Sequence, residues 1–139
     1  MNPPVESALS STAMEFHDSE VSSVVAVNSD IHVFFSVAYV HRSSSTPGHD
    51  AGDGYVQAVE LQLHQAVSTG SLDECFGNLS EGGLNVDGIS VQLVPLPFQA
   101  MGKVTLNLQF SNGAVLSATG TSVTLSQGAA SQFIDNFAC

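Results

Sequence analysis

Basic side chains are almost absent from this sequence: Arg42 and Lys103 stand against 13 acidic residues, and the formal net charge is −11. Such a surface repels phosphate backbones and anionic lipid head groups, so we expect it to bind neither nucleic acid nor membranes. Two isolated cations also cannot clamp a transferring phosphoryl group. The charge favours a basic protein as partner, although it also serves the simpler purpose of solubility.

Cysteine is scarce, and long apolar runs are missing. Cys75 and Cys139 are too few and too far apart for a disulfide framework or a cysteine metal site. The mostly apolar residues 31–40 fall short of the roughly 18 that a membrane span requires, and the opening residues lack the features of a secretory signal. The sequence therefore predicts a soluble, cytoplasmic protein of one domain, residues 1–139, with an irregular segment at residues 1–14.

Most of the chain alternates apolar and polar residues with a period of two, as half-buried β-strands do. The clearest segment is KVTLNLQF, whose predicted inward residues are Val104, Leu106, Leu108 and Phe110. Turn signals such as Asp87-Gly88 and Asn112-Gly113 separate these segments, because Asn, Asp and Gly tolerate positive φ. The pattern predicts an all-β, mainly antiparallel domain, a β-sandwich or barrel of about seven or eight strands.

Two segments on either side of a predicted turn at residues 28–30 have less regular patterns. In residues 20–27, alternation places Val21, Ser23, Val25 and Val27 on one face. In residues 31–41 both faces are apolar, which is typical of a central strand covered on both sides.

The remaining segments are predicted as connections or short helices. Residues 42–54 and 66–82 are rich in Gly and Ser and favour loops. Short helices are predicted near residues 4–9 and over residues 126–137, where Ser126 would be the N-cap.

The pair His17-Asp18 is the first candidate site, because a carboxylate beside an imidazole can orient it as a base or a metal ligand. Adjacent strand residues point to opposite faces, however. The simpler interpretation is that Asp18 forms a turn at the entry to the first strand while Phe16 enters the core. The pair is kept as a candidate for metal binding.

A second candidate metal site follows the second predicted strand. Its ligands would be two imidazoles and two carboxylates from His41, His49, Asp50 and Asp53. The spacing matches no calcium loop, and a polar surface loop is the simpler interpretation. The metal hypothesis would gain support if His17 lay close to His41 in space.

Motifs for catalysis are missing, so no catalytic residue and no cofactor is assigned. The sequence has no G-x-S-x-G elbow and no phosphate-binding glycine loop. The acidic residues Asp73 and Glu74 precede Cys75 and are expected to make its thiol less reactive. An apolar patch from Leu93 to Phe98 is expected to cover the core, to line a ligand cavity or to contact a second chain.

Three segments together resemble small bacterial β-domain proteins that begin with a Phe-His-Asp-Ser/Ala-x-Val/Leu motif: FHDSEVSSVVAV, DIHVFFSVAYV and LQFSNGAVLSATGTSVTL. Some of those proteins are immunity proteins of toxin systems, of the immunity protein 50 type. Residues 43–82 match no part of that pattern. The resemblance implies binding to another protein and transfers no catalytic residue.

We therefore expect a non-enzymatic protein-binding module with a basic partner, immunity-like in kind. The alternative is a small barrel that binds an apolar ligand, or a metal through His17, Asp18, His41 and His49, and acts as a hydrolase. A homo-oligomer formed through a sheet edge or through the patch from Leu93 to Phe98 is a third option.

Overall fold

A computed structural model of the chain describes residues 11–43, 52–127 and 132–137. These residues form ten strands of one antiparallel sheet, and their only helical segment is a 3-10 turn at Leu72–Glu74. The strands are β1 Ser11–Val27, β2 Asp30–Ser43, β3 Gly52–His64, β4 Val67–Thr69, β5 Gly77–Val86, β6 Ile89–Val91, β7 Leu93–Pro95, β8 Phe98–Phe110, β9 Val115–Gln127 and β10 Gln132–Phe137. In this part of the chain, no helix has the length and apolar character needed to cross a membrane.

The sheet closes into a six-stranded barrel. The hydrogen-bonded order is β3-β2-β1-β5-β8-β9, and β9 pairs again with β3, so that Leu125 lies opposite Leu61 at the seam. β10 pairs with β3 and β4 pairs with β9, while the short strands β6 and β7 pair with β5 and β1. The predicted all-β, antiparallel fold is confirmed, and it takes the form of a barrel.

Alternate side chains of the barrel strands fill the interior as one hydrophobic cluster. The four predicted inward residues of β8 are between 0% and 3% exposed. The rings of Phe16 and Phe35 pack together with their centroids 6.2 Å apart. Each fully buried apolar side chain of this kind contributes about 1.5–3 kcal/mol, so the filled interior is the main stabilising feature of the fold.

Short turns connect the main hairpins where the sequence predicted them. Asn28-Ser29 joins β1 to β2, and Asp87-Gly88 joins β5 to β6. Asn28 and Asp87 have φ values of 57° and 52°, in the left-handed region that Asn and Asp tolerate better than other side chains.

A bulge changes the inward face of β1. Val21 lies opposite Phe35 and Ser23 opposite Phe34, so Ser22 is an extra residue between two cross-strand pairs. Val24 therefore points inward and is 5% exposed, whereas Val25 is 40% exposed. The prediction that Val21 shares a face with Ser23, Val25 and Val27 is wrong, because alternation alone does not reveal an inserted residue.

A second bulge lies in β2. Its inward residues are Ile31, Val33 and Phe35 before the extra residue Ser36, and Ala38 and Val40 after it. Both faces of β2 look apolar in the sequence because the inward residues lie on one face before Ser36 and on the other face after it. β2 is central, as predicted, since it lies between β1 and β3. Its outer side chains are partly exposed in the single chain, and cover by another subunit stays a prediction.

Two residues of the predicted apolar patch belong to the hydrophobic core. Val94 is fully buried and Leu96 is 8% exposed. The Leu96 N–H donates to the Thr12 carbonyl at 3.0 Å, and β7 pairs with Ala13, Met14 and Glu15 of β1. These contacts support the interpretation as a core lid. They also place residues 11–14, predicted as irregular, in a strand.

Three other assignments differ from the structure. The helix predicted over residues 126–137 is wrong: β9 continues to Gln127, and Gln132–Phe137 forms β10 against β3. The predicted loop 66–82 contains β4, the 3-10 turn and the start of β5, and β2 and β3 extend into the predicted loop 42–54. In each case backbone pairing with a distant strand overrides local composition. The helix predicted near residues 4–9 lies outside the described residues.

Candidate functional site

Most of the titratable side chains that form pairs lie on the outer surface of four adjacent barrel strands, β1, β2, β3 and β9. The four described histidines are all on this surface, each within 4 Å of a carboxylate. We call it the histidine–carboxylate face. It comprises Glu15, His17, Asp18, Ser23, Val25 and Val27 of β1, Asp30, His32, Phe34, Tyr39 and His41 of β2, Glu60, Gln62 and His64 of β3, and Thr124 of β9.

Glu60 is held in place by two neighbours. The Nδ1 atom of His32 lies 2.8 Å from Glu60 Oε2, and the side-chain amide of Gln62 donates to the same oxygen at 3.0 Å. Phe34 is the direct cross-strand partner of Glu60, and the rings of His32 and Phe34 stack with centroids 6.1 Å apart. The hydrogen bonds from Gln62 and His32 lower the pKa of the Glu60 carboxyl below its usual value of 4.5, against the opposing effect of burial.

This lowered pKa makes the contribution of Glu60 to stability dependent on pH. Because the folded protein favours the carboxylate, the contribution is present above pH 4.5 and is lost as the pH falls through the lowered pKa. We expect Glu60→Gln to lower the melting temperature at pH 7, by a loss of about 0.5–1 kcal/mol, and to have little effect near pH 3. Thermal melts across that range, with Glu81→Gln as control, would contradict this if the difference from wild type were constant.

His64 forms the second pair on this part of the face. Its Nδ1 lies 3.3 Å from Asp30 Oδ2, and its Nε2 lies 3.4 Å from the Thr124 hydroxyl. The other carboxylate oxygen of Asp30 accepts from the backbone N–H of Gln65 at 3.3 Å. The pair therefore joins the β1–β2 turn to the end of β3 and to β9.

A wide bulge in β1 produces the remaining pairs. Between the cross-strand pairs of Glu15 and Glu20, β1 advances five residues while β2 advances two. Asp18 has a φ of 71°, which breaks the alternation, so that His17 Nδ1 lies 3.3 Å from Asp18 Oδ2. The prediction that these adjacent side chains would point apart is wrong for this reason. Asp18 also lies within β1, not in a turn before it.

Ser19 fills the bulge and is fully buried. Its hydroxyl donates to the Glu15 carbonyl at 2.6 Å and accepts from the Tyr39 N–H at 2.9 Å. The Ser19 hydroxyl thus bonds to backbone groups of both strands beside the bulge. The hydrogen bonds of Ser19 hold the bulge in one conformation, and that conformation determines the directions in which the neighbouring side chains point.

Glu15 brings two of the candidate metal ligands together. Its carboxylate lies 2.7 Å from His41 Nε2 and 3.8 Å from His17 Nδ1. Within the described residues, however, no group of three or more His, Cys, Asp or Glu side chains has an arrangement that could hold a metal ion. His49 and Asp50 lie outside the described residues, and Asp53 lies in β3 opposite Arg42. Metal binding through His17, Asp18, His41 and His49 stays a prediction.

Cys75 is a poor candidate for a nucleophile. It is 1% exposed, and its Sγ lies 3.5 Å from the Ser71 carbonyl. Burial raises the pKa of the thiol, and the neighbouring charge of Glu74 raises it further. The predicted low reactivity agrees with this direction, and burial is its larger cause.

We therefore expect Cys75 to resist thiol reagents in the native protein. In a Cys139→Ser variant, where Cys75 is the sole thiol, Ellman's reagent should release little chromophore until guanidinium unfolds the barrel. Rapid stoichiometric reaction under native conditions would show that the 3-10 turn does not cover this residue.

A second surface feature is a shallow hollow on β5 and β8, outside the histidine–carboxylate face. Glu81, Gly82, Gly83, Asn107 and Gln109 line it. A β-carbon on Gly83 would meet nothing within 4 Å, so the hollow exists because this position lacks a side chain.

Comparison of the chain with protein-family models, with curated proteins and with solved structures gave no match. The resemblance to immunity proteins therefore stays a prediction. The structure also identifies three residues that sequence reasoning missed, Glu15, Asp30 and Glu60. The pairs Glu15–His41, Asp30–His64 and Glu60–His32 join residues far apart in the chain, and the strand register brings these partners together.

Proposed function

We propose that this domain is a non-enzymatic binding module whose histidine–carboxylate face receives a basic protein. The proposal rests on the composition of that face, on which carboxylates lie beside exposed apolar side chains. Val25 and Val27 are 40% and 45% exposed, Val27 lies opposite Asp30, and the partly exposed Phe34 lies opposite Glu60. Interfaces between proteins combine aromatic and aliphatic contacts with polar groups in this way.

Charge supports a basic partner. Among the side chains that the structure describes, every ion pair joins a carboxylate to a histidine, and none joins a carboxylate to Lys103. With its histidines neutral the chain has a formal net charge of −11, so the face keeps a negative field. Such a field accelerates the encounter with a cationic surface and disfavours acidic partners.

An immunity-like role, in which the domain neutralises a basic toxin, is a specific form of this proposal and is supported by the sequence resemblance alone. The proposal includes the predicted cytoplasmic location. A free thiol at Cys75 is compatible with that location, because thiols stay reduced in the cytosol. The alternative of an apolar ligand inside the barrel receives less support, because the inward side chains already form one buried cluster.

Two variants with the same loss of charge test the proposal. The face variant combines Glu15→Gln, Asp18→Asn and Glu60→Gln; the control combines Asp73→Asn, Glu74→Gln and Glu81→Gln. The probe is cytochrome c, a small basic protein, titrated by calorimetry at about 50 and 500 mM salt. Thermal melts confirm that both variants fold.

We expect wild type to bind the probe at low salt and to lose most of that affinity at high salt. The face variant should bind at least about tenfold more weakly, and the control within about twofold of wild type. Equal losses in both variants would show that net charge, rather than this face, determines binding. No binding at low salt would contradict the proposal itself.

A further inference from the structure

Glu60 offers a fixed carboxylate oxygen to a partner. Both of its hydrogen bonds, from His32 and Gln62, use Oε2. Within the described part of the chain, Oε1 has no hydrogen-bond or ion-pair partner. The side chain is 31% exposed, so a donor from outside can reach it. Because two neighbours already hold the carboxylate, a partner would not have to immobilise it, which lowers the cost of binding.

The cross-strand neighbour of Glu60 on β2 is an aromatic residue. Phe34 and Glu60 are opposite each other in the β2–β3 pairing, which places their β-carbons about 4.5–5.5 Å apart on one face. The ring of His32 stacks against Phe34 at an interplanar angle of 29°. On the β1 side the cross-strand neighbour of Phe34 is Ser23, which is too small to cover the ring.

The geometry points to a subsite for one arginine side chain of the basic partner, formed by Glu60 and Phe34. The guanidinium would donate to Glu60 Oε1 while its plane stacks on the Phe34 ring. Arginine fits better than lysine because its group is planar, weakly hydrated and able to stack while it forms hydrogen bonds. This inference rests on the proposed function and specifies which partner residue the face receives.

The partner is a different protein, not a second copy of this chain. The chain has one arginine, Arg42, and one lysine, Lys103. A second copy would bring the same excess of carboxylates against the face, and like charges at an interface are unfavourable.

The test uses three short peptides, in which glycine alternates with arginine, with lysine or with glutamate. Binding is measured by NMR titration, which reaches millimolar affinities, on wild type, Glu60→Gln, Phe34→Leu and the control Glu81→Gln. Glu81 lies in the hollow on β5, so its substitution removes the same charge away from the subsite. Thermal melts establish that each variant is folded, and sedimentation at two concentrations reports self-association.

We expect the arginine peptide to bind wild type about fivefold to tenfold more tightly than the lysine peptide, and the glutamate peptide not to bind. Glu60→Gln should weaken arginine binding about tenfold, and Glu81→Gln should have little effect. Phe34→Leu keeps the apolar bulk but removes the ring, so it should bring the two basic peptides close to equal affinity.

Two results would overturn the subsite. One is equal binding of the arginine and lysine peptides to wild type; the other is an equal effect of Glu60→Gln and Glu81→Gln. Either leaves the face as a general receptor for basic proteins. If neither basic peptide bound at low salt, the proposed function would fail together with the subsite. If the chain formed a dimer that Glu60→Gln dissociated, the occupant would be a second copy, and the choice of partner would be wrong.

Discussion

A Leu106→Asp substitution is expected to unfold the protein. Leu106 is fully buried and lies in β8 between Leu84 of β5 and Ala118 of β9. A carboxylate at this position would be removed from water with no basic group near it in the described structure. The cost of burying an unpaired charge, added to the lost packing, is about 5 kcal/mol or more, which approaches the whole stability of a typical domain.

The matched control for this substitution is Asn107→Asp, one position along the same strand. Asn107 is exposed on the outer face, so the variant introduces the same charge without burying it. We expect urea unfolding of Asn107→Asp to stay within about 0.5 kcal/mol of wild type. A Leu106→Asp protein that unfolds at the wild-type urea concentration would show that the inward face of β8 is assigned wrongly.

Gly120→Ala has the second largest expected effect, because this glycine lies at the seam that closes the barrel. A β-carbon at Gly120 would lie 2.5 Å from the backbone oxygen of His64 and 2.9 Å from the Leu63 side chain. Backbone cannot rotate away as a side chain can, so β3 and β9 would have to separate. We expect a loss of about 1–3 kcal/mol, although alanine is otherwise a better strand residue than glycine.

The control is Gly83→Ala, in which the new methyl group meets no atom within 4 Å. That substitution should be neutral or stabilising by up to about 1 kcal/mol, because it lowers the entropy of the unfolded chain. The two variants are compared by chemical denaturation. Equal stabilities would mean that β3 and β9 do not approach each other closely at Gly120 and that the barrel is open there.

Sequence patterns predicted the strands in which apolar and polar residues alternate regularly. From Val104 to Phe110 every second residue of β8 is buried, and the turns at Asn28 and Asp87 have the positive φ that their residue types favour. These features depend on local properties of the chain, namely side-chain period and backbone conformation. The same alternation failed on β1 and β2, because the extra residues Ser22 and Ser36 exchange the two faces, and a serine inserted in a strand has no distinctive sequence signal.

The candidate site was predicted only in part for a similar reason. His17, Asp18 and His41 were identified by their chemistry, but their partner Glu15 was not. Glu60 was missed because it is 28 residues from His32 in the chain. The pairing of those side chains depends on the register between strands, which is set by bulges and by the packing of the whole barrel. The described parts of the segment 126–137, Ser126–Gln127 and Gln132–Phe137, show the same limit, since their pairing with β3 outweighed a local helix pattern.

The central claim is that the histidine–carboxylate face is the surface that receives a basic partner. The most direct measurement is an NMR titration of the wild-type protein with the arginine peptide, followed through the backbone amide of each residue. We expect the largest shifts at Ser23, Phe34, Glu60 and Gln62, with small shifts over residues 81–83 and 107–109 around the hollow. The largest shifts over the hollow, or equal shifts over the whole surface, would contradict the claim.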